Sequence, residues 1–587
     1  MSASDKVERK TFTQTTWLPL VVAAAVILLT ELVSFGPIVK AVGFYLDDWI
    51  TLRLLHDGPR PLWESFQRYL VSDPRVVVRP VEAFYYALEY FCFGLKPLGY
   101  HLVNGFFEVS AALFLFLSVK ALTGNRSLSL LAAVLLIVYP NHDATHYWAT
   151  CSSETLSLAF SLASVFFTLK AGQTHKLVWQ LSAVFAFAIS IFCYETFLPL
   201  LVLNVIGAFV VAQRQTDNRQ ALKSAALALL PFAGVVGSLL FYSRVIAPKL
   251  AVAQVHPVHI ALAPIVNEIA QGIKLNLPDQ SLGFFLPQLY IGAYFQTAPL
   301  AILGLVAVCA AVIASLYYFA GADKTLLHPL QLATIGLIVV VASYAIFGLN
   351  PEYTPLLHTI LNRINYGAAL GISLLIVGLL GFAVEWPPLD RRTLTVTVLA
   401  AGTLPIILFS IITNRGLAQP WILSWQTQKF IANALKASAA QFQNGDSIIL
   451  ANCPRYVMWA PLFDGVWDFE PMVRLTLSNS TLKGGVVSER IVVSADDLKD
   501  ISRGTICGTY GFKRLFVVIP PHFQITQIKE PEKFIGLIAR EGMTFGLSKS
   551  IIKEWQKQLA ADRSSRDRQD DSANQSSPEP ENNHKHF

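Results

Sequence analysis

The chain has 587 residues, 53% of them hydrophobic and only 14% charged, with a mean hydropathy of +0.49. A soluble protein of this size carries roughly 25% charged residues, so an ordinary soluble enzyme is excluded. The net charge of +6 implies no nucleic-acid partner, because the basic residues sit mostly in short loops between apolar runs, where they set orientation in a membrane.

Residues 1–15 are polar, with Lys6, Arg9 and Lys10, and are expected to be a cytoplasmic segment. The apolar run from Trp17 to about Ile38 is too long for a signal peptide and reads as an uncleaved span. Ten more candidate spans follow at about 99–120, 127–140, 146–170, 177–194, 196–213, 221–243, 298–320, 329–348, 363–384 and 393–412. Their turns alternate in charge. Lys120, Arg126, Lys170, Lys176, Arg214, Arg219, Lys223, Lys324, Arg391 and Arg392 fall on one side; Asp47, Asp48, Asp143, Glu195, Glu268, Asp279 and Glu352 fall on the other. Positive residues stay cytoplasmic, so the acids and the C-terminal region are expected outside.

The expected layout is an all-α polytopic membrane domain over 16–412 with about 11 spans, then a connecting helix at 413–445. A small extracytoplasmic α/β or β domain is expected at 446–527, from short β-branched runs such as Arg490-Ile491-Val492-Val493 between turn residues. Residues 528–587 read as a polar tail, disordered from about 562. The outer segments 39–98 and 244–297 are long and mildly polar, as interfacial helices are. Cys453 and Cys507 lie in the polar region, where an oxidising compartment would allow pairing.

The chemistry gathers at the outer ends of the spans. Asp47 and Asp48 stand side by side after the first span, and two acids at a bilayer boundary suit a general base or a metal-bridged phosphate site; the bland reading is a helix cap. Arg75, Arg79 and Arg363 are candidates to hold an anionic headgroup, or simply to snorkel. His101, Asn104, His142, Asp143, His146, Glu154, Glu195 and Asn362 are polar residues on the same face. His142 and His146 have the spacing of a zinc helix, but no third ligand follows, so a His pair near phosphate is the better reading.

The order of these motifs resembles the GT-C class of integral-membrane glycosyltransferases, most closely its protein O-mannosyltransferase-like members. The residues that carry the likeness are Asp47-Asp48, Arg79-Pro80, the run Gly94-Leu95-Lys96-Pro97-Leu98-Gly99-Tyr100-His101 with Asn104, and the outer turn Pro140-Asn141-His142 with Trp148. The resemblance implies a GT-C-like catalytic domain, a polyprenyl-phosphate sugar donor and an extracytoplasmic acceptor. It further implies that Asp47 or Asp48 acts as base, or as ligand of a divalent ion (Mg or Mn) where one is used. The related branch shows His-Pro-x-x-x-Glu in the second outer turn, whereas Tyr139 and Ala144 stand at the His and Glu positions here. The implied protein is a multi-pass glycosyltransferase of the plasma or inner membrane. A flippase of lipid-linked sugars would put its charges near the midplane, and a non-catalytic envelope protein would not need the Asp pair.

Overall fold

In the computed structural model, the described residues are 17–251, 261–295, 298–320, 326–350, 353–385, 391–502, 504–520, 523–541 and 549–575. The expected N-terminal segment, Lys324 and Glu352 lie outside them. The chain divides into two compact units. The first comprises the chain up to Phe44, Leu54–Trp425 and Met458–Ala460; the second comprises Tyr45–Arg53, Gln426–Val457 and the chain from Pro461 on.

The first unit is helical. Its longer helices are α1 (Leu18–Ser34), α2 (Asp47–His56, shared with the second unit), α3 (Leu62–Ser72), α4 (Pro80–Phe93), α5 (Pro97–Thr123), α6 (Arg126–Val138), α7 (Asp143–Tyr147), α8 (Ser152–Thr174), α9 (Leu177–Cys193) and α10 (Leu201–Gln213). Next come α11 (Asn218–Phe241), α12 (Leu262–Leu275), α13 (Pro278–Tyr294), α14 (Pro299–Phe319), α15 (Pro329–Ala345), α16 (Tyr366–Glu385) and α17 (Arg391–Ala437, shared with the second unit from Gln426 on). Among the described residues, eight helical segments are long and apolar enough to cross a membrane. A ninth span is possible in the pair Arg126–Val138 and Pro140–Tyr147, bent by 40°, while Leu18–Ser34 and Leu177–Cys193 are apolar but shorter. Each of the eleven apolar stretches read from the sequence is therefore helical, and the protein is an integral, multi-pass membrane protein.

Two packing choices hold this unit. Helix α6 is buried from Ser127 to Val138, as befits a helix apolar on every face, and Asn125 caps it by accepting the Leu128 N–H at 3.0 Å. Helices α15 and α16 cross through glycines: a Cβ at Gly336 would stand 2.5 Å from the Gly371 carbonyl oxygen. Small residues of this kind let helix backbones meet where lipid gives no hydrophobic drive.

Two expectations about the chain's layout change. The last span and the connecting helix are one element, because α17 runs 47 residues through Pro405 and Pro420 without a break at 413. The polar tail is in part a core element. Helices α19 (Pro531–Glu541) and α20 (Lys549–Gln575) follow the strands, and Phe534, Ile538, Ile552, Trp555 and Leu559 are buried in one hydrophobic cluster with Val517 and Tyr510. The amphipathic spacing of these apolar residues was masked by the charged residues between them.

That cluster belongs to the second unit, a mixed α/β domain. Strands β1 (Ser447–Leu450), β2 (Lys483–Val486), β6 (Leu515–Ile519) and β7 (Gln524–Ile528) form a sheet in the order β2-β1-β6-β7. β1 is parallel to β2 and β6, and β7 closes the edge antiparallel. The fully buried pattern of β1 is what a parallel strand covered on both faces requires. Helix α18 (Val466–Leu477) makes the crossover from β1 to β2, and β3 (Ile491–Val493), β4 (Asp497–Ser502) and β5 (Thr505–Gly511) form a separate antiparallel sheet. Cys453 is buried and Cys507 exposed; both are free thiols.

Candidate functional site

Arg79 immediately precedes Pro80, the first residue of α4. A residue before proline is pushed out of the helical region, so the Arg79 side chain leaves the helix at its start. Its Nε and a terminal nitrogen donate to Glu195 at 2.8 and 2.6 Å, its other terminal nitrogen lies 3.6 Å from Glu82, and its guanidinium sits 4.3 Å above the Tyr194 ring. Glu195 and Tyr194 are delivered by the turn after α9.

Arg363 arrives from the far end of the chain, on the 3-10 turn Ile360–Asn365 that leads into α16. One of its nitrogens lies 3.5 Å from Glu154 at the start of α8, and its guanidinium is 5.2 Å from the Trp148 ring centre. Between these groups opens a narrow cleft. Glu154, Arg363, Tyr194 and Thr196 form its polar part; Phe197, Pro199, Leu200, Phe347 and Ile364 form an apolar wall. Arg79, stacked on Tyr194, backs that side of the cleft.

Arg75 does something different. It makes two bonds to Asp73, from Nε to Oδ1 at 3.0 Å and from a terminal nitrogen to Oδ2 at 2.6 Å. This fork geometry fixes a buried acid in its own loop.

Asp47 and Asp48 lie in the second unit, in the first turn of α2. Asp48 is buried and accepts the Tyr45 N–H at 2.7 Å, which fastens the first turn of the helix to the residue three before it. Asp47 is half-buried. Leu46, just before the pair, has φ +46°, a left-handed conformation that is strained for a bulky side chain. Trp49 ties the turn to Gln428 by an indole N–H bond of 2.9 Å. Among the described residues no three of His, Cys, Asp or Glu gather as a metal ligand set; an ion at the Asp pair would rest on two protein carboxylates and substrate phosphate, the pattern Mg tolerates.

The remaining polar residues hold the bent pair α6–α7 in place. Asp143 is buried and accepts bonds from the Asn362 amide and the Trp421 indole at 2.9 Å, while Asn362 Oδ1 accepts the Ala144 N–H at 3.1 Å. Asn104 donates to the Thr145 carbonyl at 2.7 Å and accepts from Thr155 at 2.6 Å. His101 Nε2 lies 3.0 Å from the Gly43 carbonyl. Asp143, Asn362, Asn104 and His101 are thus tied into the fold. His146 instead meets Glu108, its Nδ1 2.9 Å from both carboxyl oxygens.

Glu108 and its neighbour Glu31 escaped the sequence reading. The signal for the two acids was present: each is an ionisable residue inside an apolar run, where such groups are expensive and mark function.

No protein-family model matches the chain. Over 141 residues it is 30% identical to Protein O-mannosyl-transferase TMTC3 of Mus musculus and 28% identical to that of Homo sapiens. This stretch is 24% of the present chain, and the chain spans only 15% of the length of these relatives. Among solved structures, ArnT from Cupriavidus metallidurans in the apo state aligns with a TM-score of 0.33 at 12% identity, over 77% of this chain and 86% of that one. The same protein bound to undecaprenyl phosphate aligns with a TM-score of 0.32 at 12% identity, over 80% and 86%. The likeness to protein O-mannosyltransferases expected from the residues is thus met by sequence similarity to two of them.

Proposed function

We propose that the protein is a membrane glycosyltransferase that moves a sugar from a polyprenyl-phosphate donor to an extracytoplasmic acceptor. The observation that carries this reading is the cleft at Arg363. A cationic, hydrogen-bonding end beside an apolar wall matches a phosphate on an isoprenoid chain, and the similarity to O-mannosyl-transferases supplies the reaction class.

In this reading Arg363 binds the donor phosphate and stabilises the charge that develops on it as the sugar leaves. Arg79, neutralised by Glu195, shapes the cleft through Tyr194. By the resemblance to the O-mannosyltransferase-like family, Asp47 is the candidate base for the acceptor hydroxyl, and Asp48 sets the turn that carries it. The acceptor oxygen attacks the anomeric carbon, the sugar–phosphate bond breaks, and polyprenyl phosphate departs. The acids and the second unit face the extracytoplasmic side, and the membrane is the plasma or inner membrane.

The test is direct. Purified protein in lipid vesicles is offered radiolabelled polyprenyl-phosphate sugars together with extracted envelope glycans and glycoproteins, and release of polyprenyl phosphate is measured. Sugar-dependent release with label in an acceptor is expected. Unchanged donor with every sugar, together with identical glycans in a deletion strain by mass spectrometry, overturns the reading. Movement of intact donor across the vesicle without cleavage would identify a flippase instead.

A further inference from the structure

Glu31 in α1, Glu108 in α5, and His142 and His146 at the bend between α6 and α7 form a buried cluster within apolar spans. A Cβ at Gly105, one turn before Glu108 on α5, would stand 3.1 Å from Glu31 Oε1, so the Glu31 carboxyl reaches the face of α5 that carries Glu108. His146 Nδ1 contacts Glu108, the His142 and His146 ring centres are 4.9 Å apart, and Phe35 stacks on His146 at 3.9 Å. A purely structural network of this kind closes its bonds. This one does not: among the described residues, Glu31 Oε2, His146 Nε2 and both ring nitrogens of His142 are buried without a hydrogen-bond partner.

The cluster also adjoins the cleft. The Tyr366 ring packs edge-on to His142 at 4.6 Å and to Phe197 at 6.3 Å, and Phe197, Ile364 and Gly367 line the cleft. The other ionisable neighbours are occupied or lie across aromatic rings. Asp143 is held by Trp421 and Asn362, Arg415 donates to the Val33 carbonyl, Tyr147 donates to the Asn414 carbonyl, and Glu154 pairs with Arg363.

We propose that Glu31, Glu108, His142 and His146 form a proton-accepting site inside the membrane domain that clears the proton produced by transfer in the adjoining cleft. The role rests on the transferase reading: each turnover breaks one acceptor O–H bond while the electron pair of the broken sugar–oxygen bond leaves with the phosphate, so one proton must be removed. The cluster receives that proton after the base has released it, at an open ring nitrogen of His142, and the His146–Glu108 contact extends the store.

Two measurements on the full chain in nanodiscs test the site. Infrared difference spectra between acid and alkaline pH are expected to show a protonated-carboxyl band that disappears in both Glu108→Gln and Glu31→Gln; an unchanged band in folded variants overturns the site. This arm needs no turnover, so it stands apart from the transferase reading. In the transfer assay His142→Gln is expected to lower kcat by about 10²-fold at unchanged KM, with partial rescue by added imidazole. Wild-type kcat in that variant across the pH range overturns the role.

Discussion

Arg79 and Arg363 invite comparison, because the same residue type is set over an aromatic ring on two sides of one cleft. Arg79 is bound in a fork by Glu195, with contacts of 2.6 and 2.8 Å, whereas Arg363 touches Glu154 at 3.5 Å only. A bidentate charge-assisted pair is strong and directional, and a phosphate would have to displace it. The looser contact yields more readily to a ligand. The Asp pair divides the same way: Asp48 is buried and fastens the turn through the Tyr45 N–H, while Asp47 is half-buried beside it. The proposed mechanism assigns one member of each like pair to the fold and the other to the chemistry.

The largest test of that division is at the acids. Asp47→Asn is expected to lower transfer by about 10²–10⁴-fold, the range for loss of a general base, with normal yield and insertion. Asp48→Asn is expected to lower transfer and also destabilise the turn by roughly 0.5–2 kcal/mol, as loss of a cap does. Equal effects on rate with no difference in proteolytic stability would erase the distinction.

Next comes the arginine pair. Arg363→Ala is expected to cost about 10²–10³-fold in kcat, as removal of a donor to a developing anion does, and Arg363→Lys restores part of it. Arg79→Ala leaves Glu195 without its fork and is expected to cost roughly tenfold in rate, about 1.4 kcal/mol, chiefly through a higher KM. A larger loss of kcat for Arg79→Ala than for Arg363→Ala would reverse the assignment.

Much of the fold was legible because membrane spans announce themselves. Twenty apolar residues leave few alternatives, and each of the eleven stretches is helical. The site was legible only in its residue types. Which arginine is committed depends on a partner 116 residues away in the Arg79–Glu195 pair, and no local pattern carries that information. The case of α20 is different. Trp555 and Leu559 share one face of an amphipathic helix, but charges between them lowered the average polarity signal to that of a solvated tail. Glu31 and Glu108 were lost by the opposite averaging, two acids diluted in apolar runs.

Asp468 supplies the control, with no effect on transfer expected. Like Asp48 it sits in the first turn of a helix and accepts backbone N–H groups, from Asp464 at 2.6 Å and Gly465 at 3.0 Å, but it stands in the α/β core of the second unit. Burial pushes its carboxyl up to about 7, outweighing the backbone donors, with repulsion from Asp464 adding to the rise. An unfolded Asp titrates near about 3.9, so the folded state holds this proton more tightly. Its contribution to stability is therefore full below the unfolded value and is lost as pH rises through about 7. Hydrogen exchange of β1 and β2 is expected to quicken between mildly acid and mildly alkaline pH, beyond the intrinsic rate change, and Asp468→Asn is expected to flatten that dependence at unchanged transfer. If Asp468→Asn instead abolished transfer in a protein of normal stability, the rule that an acid fastened to backbone N–H groups serves the fold would fail, and with it the separation of Asp48 from Asp47.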